Sequence, residues 1–181
     1  QQCHQLFSSV NGSGLQLDLV ACTALMDALE KGLQWLLGMH VLSHIWSTGL
    51  LPDLVLQNGA ISACEKSGMW LFALVVFSAY SVLPDVISHA ACISACEKSG
   101  RWRSGLGLVL AMRSSGLQPN TISCNSALSA CEKGGAWRES FMVHTWADGA
   151  LASVTSDIIS FTALLSAART SWDKAVGLLS R

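Results

Sequence analysis

The chain has 181 residues, of which 51% are hydrophobic and 13% charged, with a formal net charge of −1. That length suits one domain or a run of small units sharing a core, and near neutrality excludes a strongly basic or acidic bulk surface as the means of partner capture. Any binding of a polyanion must come from where the eleven Lys and Arg residues stand.

The opening QQCHQLF has no initiator Met and no basic stretch leading into an apolar one, so the chain is expected to be an internal piece of a longer protein. Residues 1–18 read as the second helix of a preceding unit, because SGLQLD at Ser13–Asp18 mirrors SGLQPN at Ser115–Asn120. Helical pairs are then expected at 19–53, 54–85, 86–120 and 121–157, with a truncated one at 158–181. The period is set by Trp35, Trp70, Trp102, Trp137 and Trp172, separated by 35, 32, 35 and 35 residues. Such a period means stacked supersecondary units, none of which buries its apolar face alone.

The phrase ISACEKSG marks each unit, at Ile61–Gly68 and Ile93–Gly100, with the variant LSACEKGG at Leu128–Gly135. Within one unit the first helix is predicted to start after Asp85, a capping residue behind a proline, and to stop near Ser99-Gly100. The second is predicted from near Trp102 to just before Ser115-Gly116. Its packing face repeats: Trp70, Ala73, Leu74 and Phe77 stand at i, i+3, i+4 and i+7, as do Trp102, Gly105, Leu106 and Val109. A small residue at i+3 lets neighbouring helices approach, while the Trp fills the space at the turn. His144 takes the i+7 place in the fourth unit and reads as a tolerated, partly exposed substitution.

Cys64, Cys96 and Cys131 recur because the unit recurs, and no CxxC pair exists, so they read as small buried packing residues in a reducing compartment. Gly32–Pro52 and Ser67–Pro84 lack charge for long enough to raise a membrane span, but both coincide with second helices and carry Gly, Ser, Gln or His. Helices buried between neighbours read the same way, and no membrane association is expected.

Paired helices of about 35 residues, PD or PN at the junctions Pro52-Asp53, Pro84-Asp85 and Pro119-Asn120, and ISACEK in the first helix resemble the pentatricopeptide repeat. The resemblance covers nearly the whole chain and implies an all-α solenoid of helix-turn-helix repeats forming a right-handed superhelix. It departs from a regular repeat in three places: the second unit is three residues short, the fourth two long, and the fifth lacks two before Trp172. Leu17 and Ser156 also stand where the junction proline would be.

The first helices carry a stripe at i, i+3, i+7 and i+11: Val55, Asn58, Ser62 and Lys66; Ile87, Ala90, Ser94 and Lys98; Ile122, Asn125, Ser129 and Lys133. The first unit contributes Val20, Thr23, Asp27 and Lys31, and the fifth Ile159, Thr162, Ser166 and Thr170. Stacking aligns these into a groove. The aliphatics Val20, Val55, Ile87, Ile122 and Ile159 could sandwich an unstacked base, the polar row could reach its edge, and Lys31, Lys66, Lys98 and Lys133 could neutralise phosphates. The competing reading makes the lysines solvated partners of Glu65, Glu97 and Glu132.

The family resemblance further implies that the polar residue of the first helix reads a base together with the Asp or Asn closing the same repeat. Thr23 with Asp53 then implies G, Asn58 with Asp85 implies U, Ala90 with Asn120 is unassigned, and Asn125 with Asp157 implies U, along RNA running parallel to the chain. Thr162 has no closing partner within the chain. Ala90 has no group to offer a base edge. The expected partner is single-stranded RNA, with no cofactor, no metal and no small-molecule substrate. The sequence shows neither an HxE followed by CxxC nor a carboxylate cluster outside the repeats, so no enzyme is expected here and catalysis would belong to a recruited processing enzyme. By the same resemblance the setting is a mitochondrion or plastid, in transcript processing, stability, editing or translation. The alternative is a tetratricopeptide-like scaffold whose groove takes a peptide.

Overall fold

The computed structural model describes residues 19–49, 52–79, 83–136, 138–140, 142–143 and 169. Among them are seven helices of ten residues or more and no strand, in the order α1 (Leu19–Lys31), α2 (Trp35–Ser47), α3 (Leu54–Lys66), α4 (Trp70–Ala79), α5 (Val86–Lys98), α6 (Trp102–Ser114) and α7 (Thr121–Lys133). The architecture is all-α. Contacts cluster into two compact units, Gln1–Pro84 and Asp85–Arg181, divided at a repeat junction.

Capping chemistry places the first helices. Asp53, Asp85 and Asn120 have extended backbones, and their side chains accept the N–H of Leu56, Ser88 and Ser123 at 2.8, 2.8 and 2.9 Å. Each satisfies one of the donors a helix start leaves orphaned. At α5 the Asp85 N–H also donates to Ser88 Oγ at 3.3 Å, completing a reciprocal capping box. The second helices α2 and α6 begin without a side-chain cap, directly after the turn that ends the first helix.

That turn explains the repeated phrase. In EKSG the chain reverses through Gly68 at φ 72°, with Gly68 N–H donating to Glu65 O at 3.1 Å and Met69 N–H to Cys64 O at 2.8 Å. Gly100 and Gly135 repeat the arrangement at φ 66° and 64°, with Arg101 N–H to Cys96 O at 2.8 Å and Ala136 N–H to Cys131 O at 2.9 Å. These paired bonds satisfy the last carbonyls, and only glycine adopts the left-handed conformation without penalty.

The first unit reads EKGLQ instead, with its glycine one residue early. Leu33 therefore takes the left-handed position at φ 55°, and it is exposed. A side chain there costs about 1–2 kcal/mol. Leu33→Gly is expected to raise stability by roughly that amount, read as a higher urea midpoint at unchanged slope. A lowered midpoint would mean the Leu33 side chain contributes contacts that exceed the strain.

In the first unit α1 packs on α2 and α3, and α3 packs on α2 and α4; in the second, α5 packs on α6 and α7, and α6 on α7. First helices thus stack on first helices, each with a second helix wedged alongside. Met26, Ile61, Ile93 and Leu128 hold the same register position and are all closed to solvent. The small i+3 residues Gly38, Ala73 and Gly105 are buried as expected. Cys64, Cys96 and Cys131 carry no disulfide and are buried, which pushes each thiol up to about 11. They pack rather than react.

The three-residue shortening of the second repeat lies between Trp70 and Pro84, 14 residues apart where Trp35 and Pro52, and Trp102 and Pro119, are 17 apart. The charge-free stretches hold α2 and α4, and among the described residues no helix is long and apolar enough to cross a membrane. Trp35, Trp70 and Trp102 are half-buried rather than enclosed. Trp35 lies with its ring centroid 4.8 Å from that of Phe72, tilted by 40°. Trp102 covers the next repeat's turn so closely that a Cβ on Gly134 would overlap its indole, while Arg103 sits 4.6 Å from the ring centroid. That contact accounts for LSACEKGG having Gly where its two relatives have Ser. Trp137, His144 and Trp172 lie outside the described residues.

Candidate nucleic-acid interface

The second residue of every described first helix is an exposed β-branched aliphatic. Val20, Val55, Ile87 and Ile122 are 73%, 61%, 62% and 63% exposed, and in three of the four helices the next residue, Leu56, Ser88 or Ser123, is buried. An apolar side chain thus stands in water at one fixed place in each described repeat.

Thr23, Asn58 and Asn125 follow one turn later and are half-buried, whereas Ala90 is buried at 6% exposure. The Thr23 hydroxyl donates to Leu19 O at 2.8 Å, which commits its proton and leaves its lone pairs as acceptors. Asp53, Asp85 and Asn120 stand at the repeat junctions, each using Oδ1 for its cap. Capping is therefore a role these residues hold whether or not they meet a ligand. Asn58 belongs to the first unit and Asp85 to the second. Asp157, Ile159 and Thr162 lie outside the described residues.

Within the first unit these rows converge. Val20, Thr23, Asp27, Asp53 and Val55, together with Leu19 and Ala24, line one recess of about 380 Å³. Its walls come from consecutive repeats: Val20 on α1, Val55 on α3, and Asp53 at the cap between. The lining combines two aliphatic side chains with two carboxylates, which accept hydrogen bonds and do not donate them when ionised. It suits a flat, apolar-faced group with donors along one edge. Asp27 appears in the sequence stripe but not among the base-reading pairs; its place in the recess becomes visible only once α1 is folded.

Two lysines of the row meet carboxylates on a neighbouring first helix. Lys66 Nζ lies 2.7 Å from Glu30 Oε1, and Lys133 Nζ 2.7 Å from Glu97 Oε1, so each pairs with a carboxylate of the preceding repeat rather than of its own helix. Ser62 and Ser129 donate to the same two oxygens at 2.8 and 2.9 Å. Burial works to raise the Glu30 carboxyl, but hydrogen bonds from Lys66 and Ser62 and the charges of Lys66 and Lys31 outweigh it and hold it below the ordinary carboxylate value. The bond to Glu30 in turn raises Lys66, against slight desolvation and with help from the charges of Glu30 and Glu65. Glu30 has no place in the sequence reading, and Glu97 appears there only as a solvated partner on the same helix as Lys98. The available signal was the recurrence of Glu, Ser 32 residues later and Lys 36 residues later. Lys31 and Lys98 are exposed at the corresponding helix ends.

No protein-family model and no curated protein sequence matches the chain. Solved structures do. The crystal structure of the pentatricopeptide repeat protein PPR10 from maize superposes with a TM-score of 0.65 at 16% identity, over 89% of this chain and 23% of that one. PPR10 in complex with an 18-nt psaJ RNA element superposes with a TM-score of 0.73 at 17% identity, over 90% of this chain and 24% of that one. A triple cysteine-to-serine variant of PPR10 with the same element agrees equally well. The chain therefore has the helical-repeat fold of pentatricopeptide repeat proteins and spans about a quarter of the neighbours' length.

Proposed function

We propose that this chain binds single-stranded RNA through its first-helix face, with one repeat addressing one base. The observation that carries the reading is the recess in which Val20 and Val55 face one space with Thr23 and Asp53. Aliphatic walls from adjacent repeats hold an unstacked base, and the polar pair meets its Watson-Crick edge. The complex of PPR10 with an RNA element supports the same class of partner for this fold. Thr23 with Asp53 would select G, Asn58 with Asp85 U, and Asn125 with Asp157 U, while Ala90 with Asn120 would leave its base weakly specified. Lys31, Lys66, Lys98 and Lys133 would follow the phosphates, and Ile87, Ile122 and Ile159 would continue the sandwich.

The proposal extends to a transcript-level role in a mitochondrion or plastid, with any chemical processing done by a recruited enzyme. Filter binding with a random-sequence single-stranded RNA pool tests the core of it. Saturable binding that weakens in Val20→Asp/Val55→Asp is expected, because two carboxylates would replace the apolar walls and repel the polyanion. Absence of binding at low salt, with capture of peptides instead, would sink this reading in favour of a protein-binding scaffold.

A further inference from the structure

The carboxylate clamp occurs separately in each compact unit with the same geometry. In the first, Ser62 Oγ and Lys66 Nζ of α3 reach back to one oxygen of Glu30 on α1. In the second, Ser129 Oγ and Lys133 Nζ of α7 reach back to one oxygen of Glu97 on α5. The glutamates are the enclosed members, with side chains 22% and 19% exposed, while Lys66 and Lys133 keep 41% and 50% exposure. Each ammonium is thus accessible to a phosphate yet already neutralised by an anion that cannot leave.

Stapling neighbouring helices alone does not call for an ion pair at this place. Ser62 and Ser129 already link the helices, and exposed ion pairs contribute little stability. The pair does have a definite effect on a polyanion. A phosphate approaching Lys66 or Lys133 must share its proton donors with Glu30 or Glu97 and meet their negative charge at close range. The charge available to the RNA track falls, in keeping with the net charge of −1 for the whole chain.

We infer that Glu30 and Glu97 are attenuators of RNA binding: each holds one lysine of the phosphate row in a neutral pair, so that affinity depends more on bases and less on charge. The inference rests on the RNA-binding reading. Each neutralised phosphate contributes about 0.7 to the log-log salt slope on single strands, so a lysine released from its carboxylate steepens the slope by about that amount. Base preference, set in the recess, should stay as it is.

The test measures binding of the random-sequence RNA pool across a salt series. Glu97→Gln keeps the shape and the acceptor for Ser129 but removes the charge; it is expected to steepen the slope by about 0.7, and Glu30→Gln/Glu97→Gln by about 1.4. At about 50 mM salt the single variant should bind about fivefold to tenfold more tightly, converging with the parent toward 1 M. Glu97→Gln/Lys133→Met should return to the parental slope, which ties the gain to that lysine. Ser129→Ala loosens the clamp without changing charge and should leave the slope alone, which separates attenuation from a merely structural role. If the parent binds RNA and Glu97→Gln keeps its slope, the attenuator inference fails and RNA binding stands. If the parent binds no RNA at any salt, both fall.

Discussion

Asp53→Asn should move the base preference of the first recess from G towards A while leaving the fold intact. The carboxylate of Asp53 can only accept, which suits the N1–H and N2–H₂ donors of guanine; an amide both donates and accepts, which suits the N1 and N6–H₂ of adenine. The substitution does not disturb the helix start. Asn120 caps α7 at 2.9 Å as Asp53 caps α3 at 2.8 Å, so the chain already contains the control. A well-placed polar pair discriminates by about 1–3 kcal/mol, so the ratio of G-form to A-form affinity should change by about tenfold to a hundredfold. Competition between RNAs differing at one nucleotide measures it. An unchanged ratio, with an unchanged melting temperature, would show that Asp53 serves as a cap alone.

The largest effect on stability is expected at Met26. Its side chain is fully enclosed and occupies space that two glycines leave open: a Cβ on Gly38 would stand 3.2 Å from its Sδ, and one on Gly59 3.0 Å from its Cγ. Met26 is therefore the wedge between α1, α2 and α3. Met26→Ala should cost about 2–5 kcal/mol, a large share of what a small unit possesses. Gly59→Ala should cost about 1–3 kcal/mol because the new methyl meets the root of the wedge rather than its mobile tip. Urea unfolding of the two single variants and the double variant checks the contact. Met26→Ala/Gly59→Ala should lose less than the sum of its parts, by about 0.5–3 kcal/mol. Strict additivity would mean that the two side chains do not share the space.

This wedge also shows how the repeats adjust to one another. Ile93 stands in the second unit where Met26 stands in the first, and the register partner of Gly59 there is Ser126. A longer side chain in one helix goes with a smaller residue in the next. A single sequence displays both members but does not say that they touch.

Much of the architecture could be read before folding because it rests on local rules. The tryptophan period, Asp53, Asp85 and Asn120 behind their prolines, and Gly68, Gly100 and Gly135 at the reversals specify helix starts and stops through bonds within five residues. The stripe from Val20 to Lys31 was likewise available, since side-chain direction on a helix follows from its pitch alone. What depends on the separation of two helices was not. That includes the closing of Val20 and Val55 around one recess, the half-burial of Trp102 over Gly134, and the shift of Leu33 into the left-handed position of a turn whose glycine came one residue early. The lysines make the division clearest. Sequence adjacency pointed to glutamates on their own helices, but residues one apart on a helix face different ways, whereas a stacked repeat brings Glu30 to Lys66 and Glu97 to Lys133 across 36 residues. Periodicity and capping, which are short-range, were written in the sequence; charge pairing and cavity shape are properties of the space between helices, and only tertiary structure decided them.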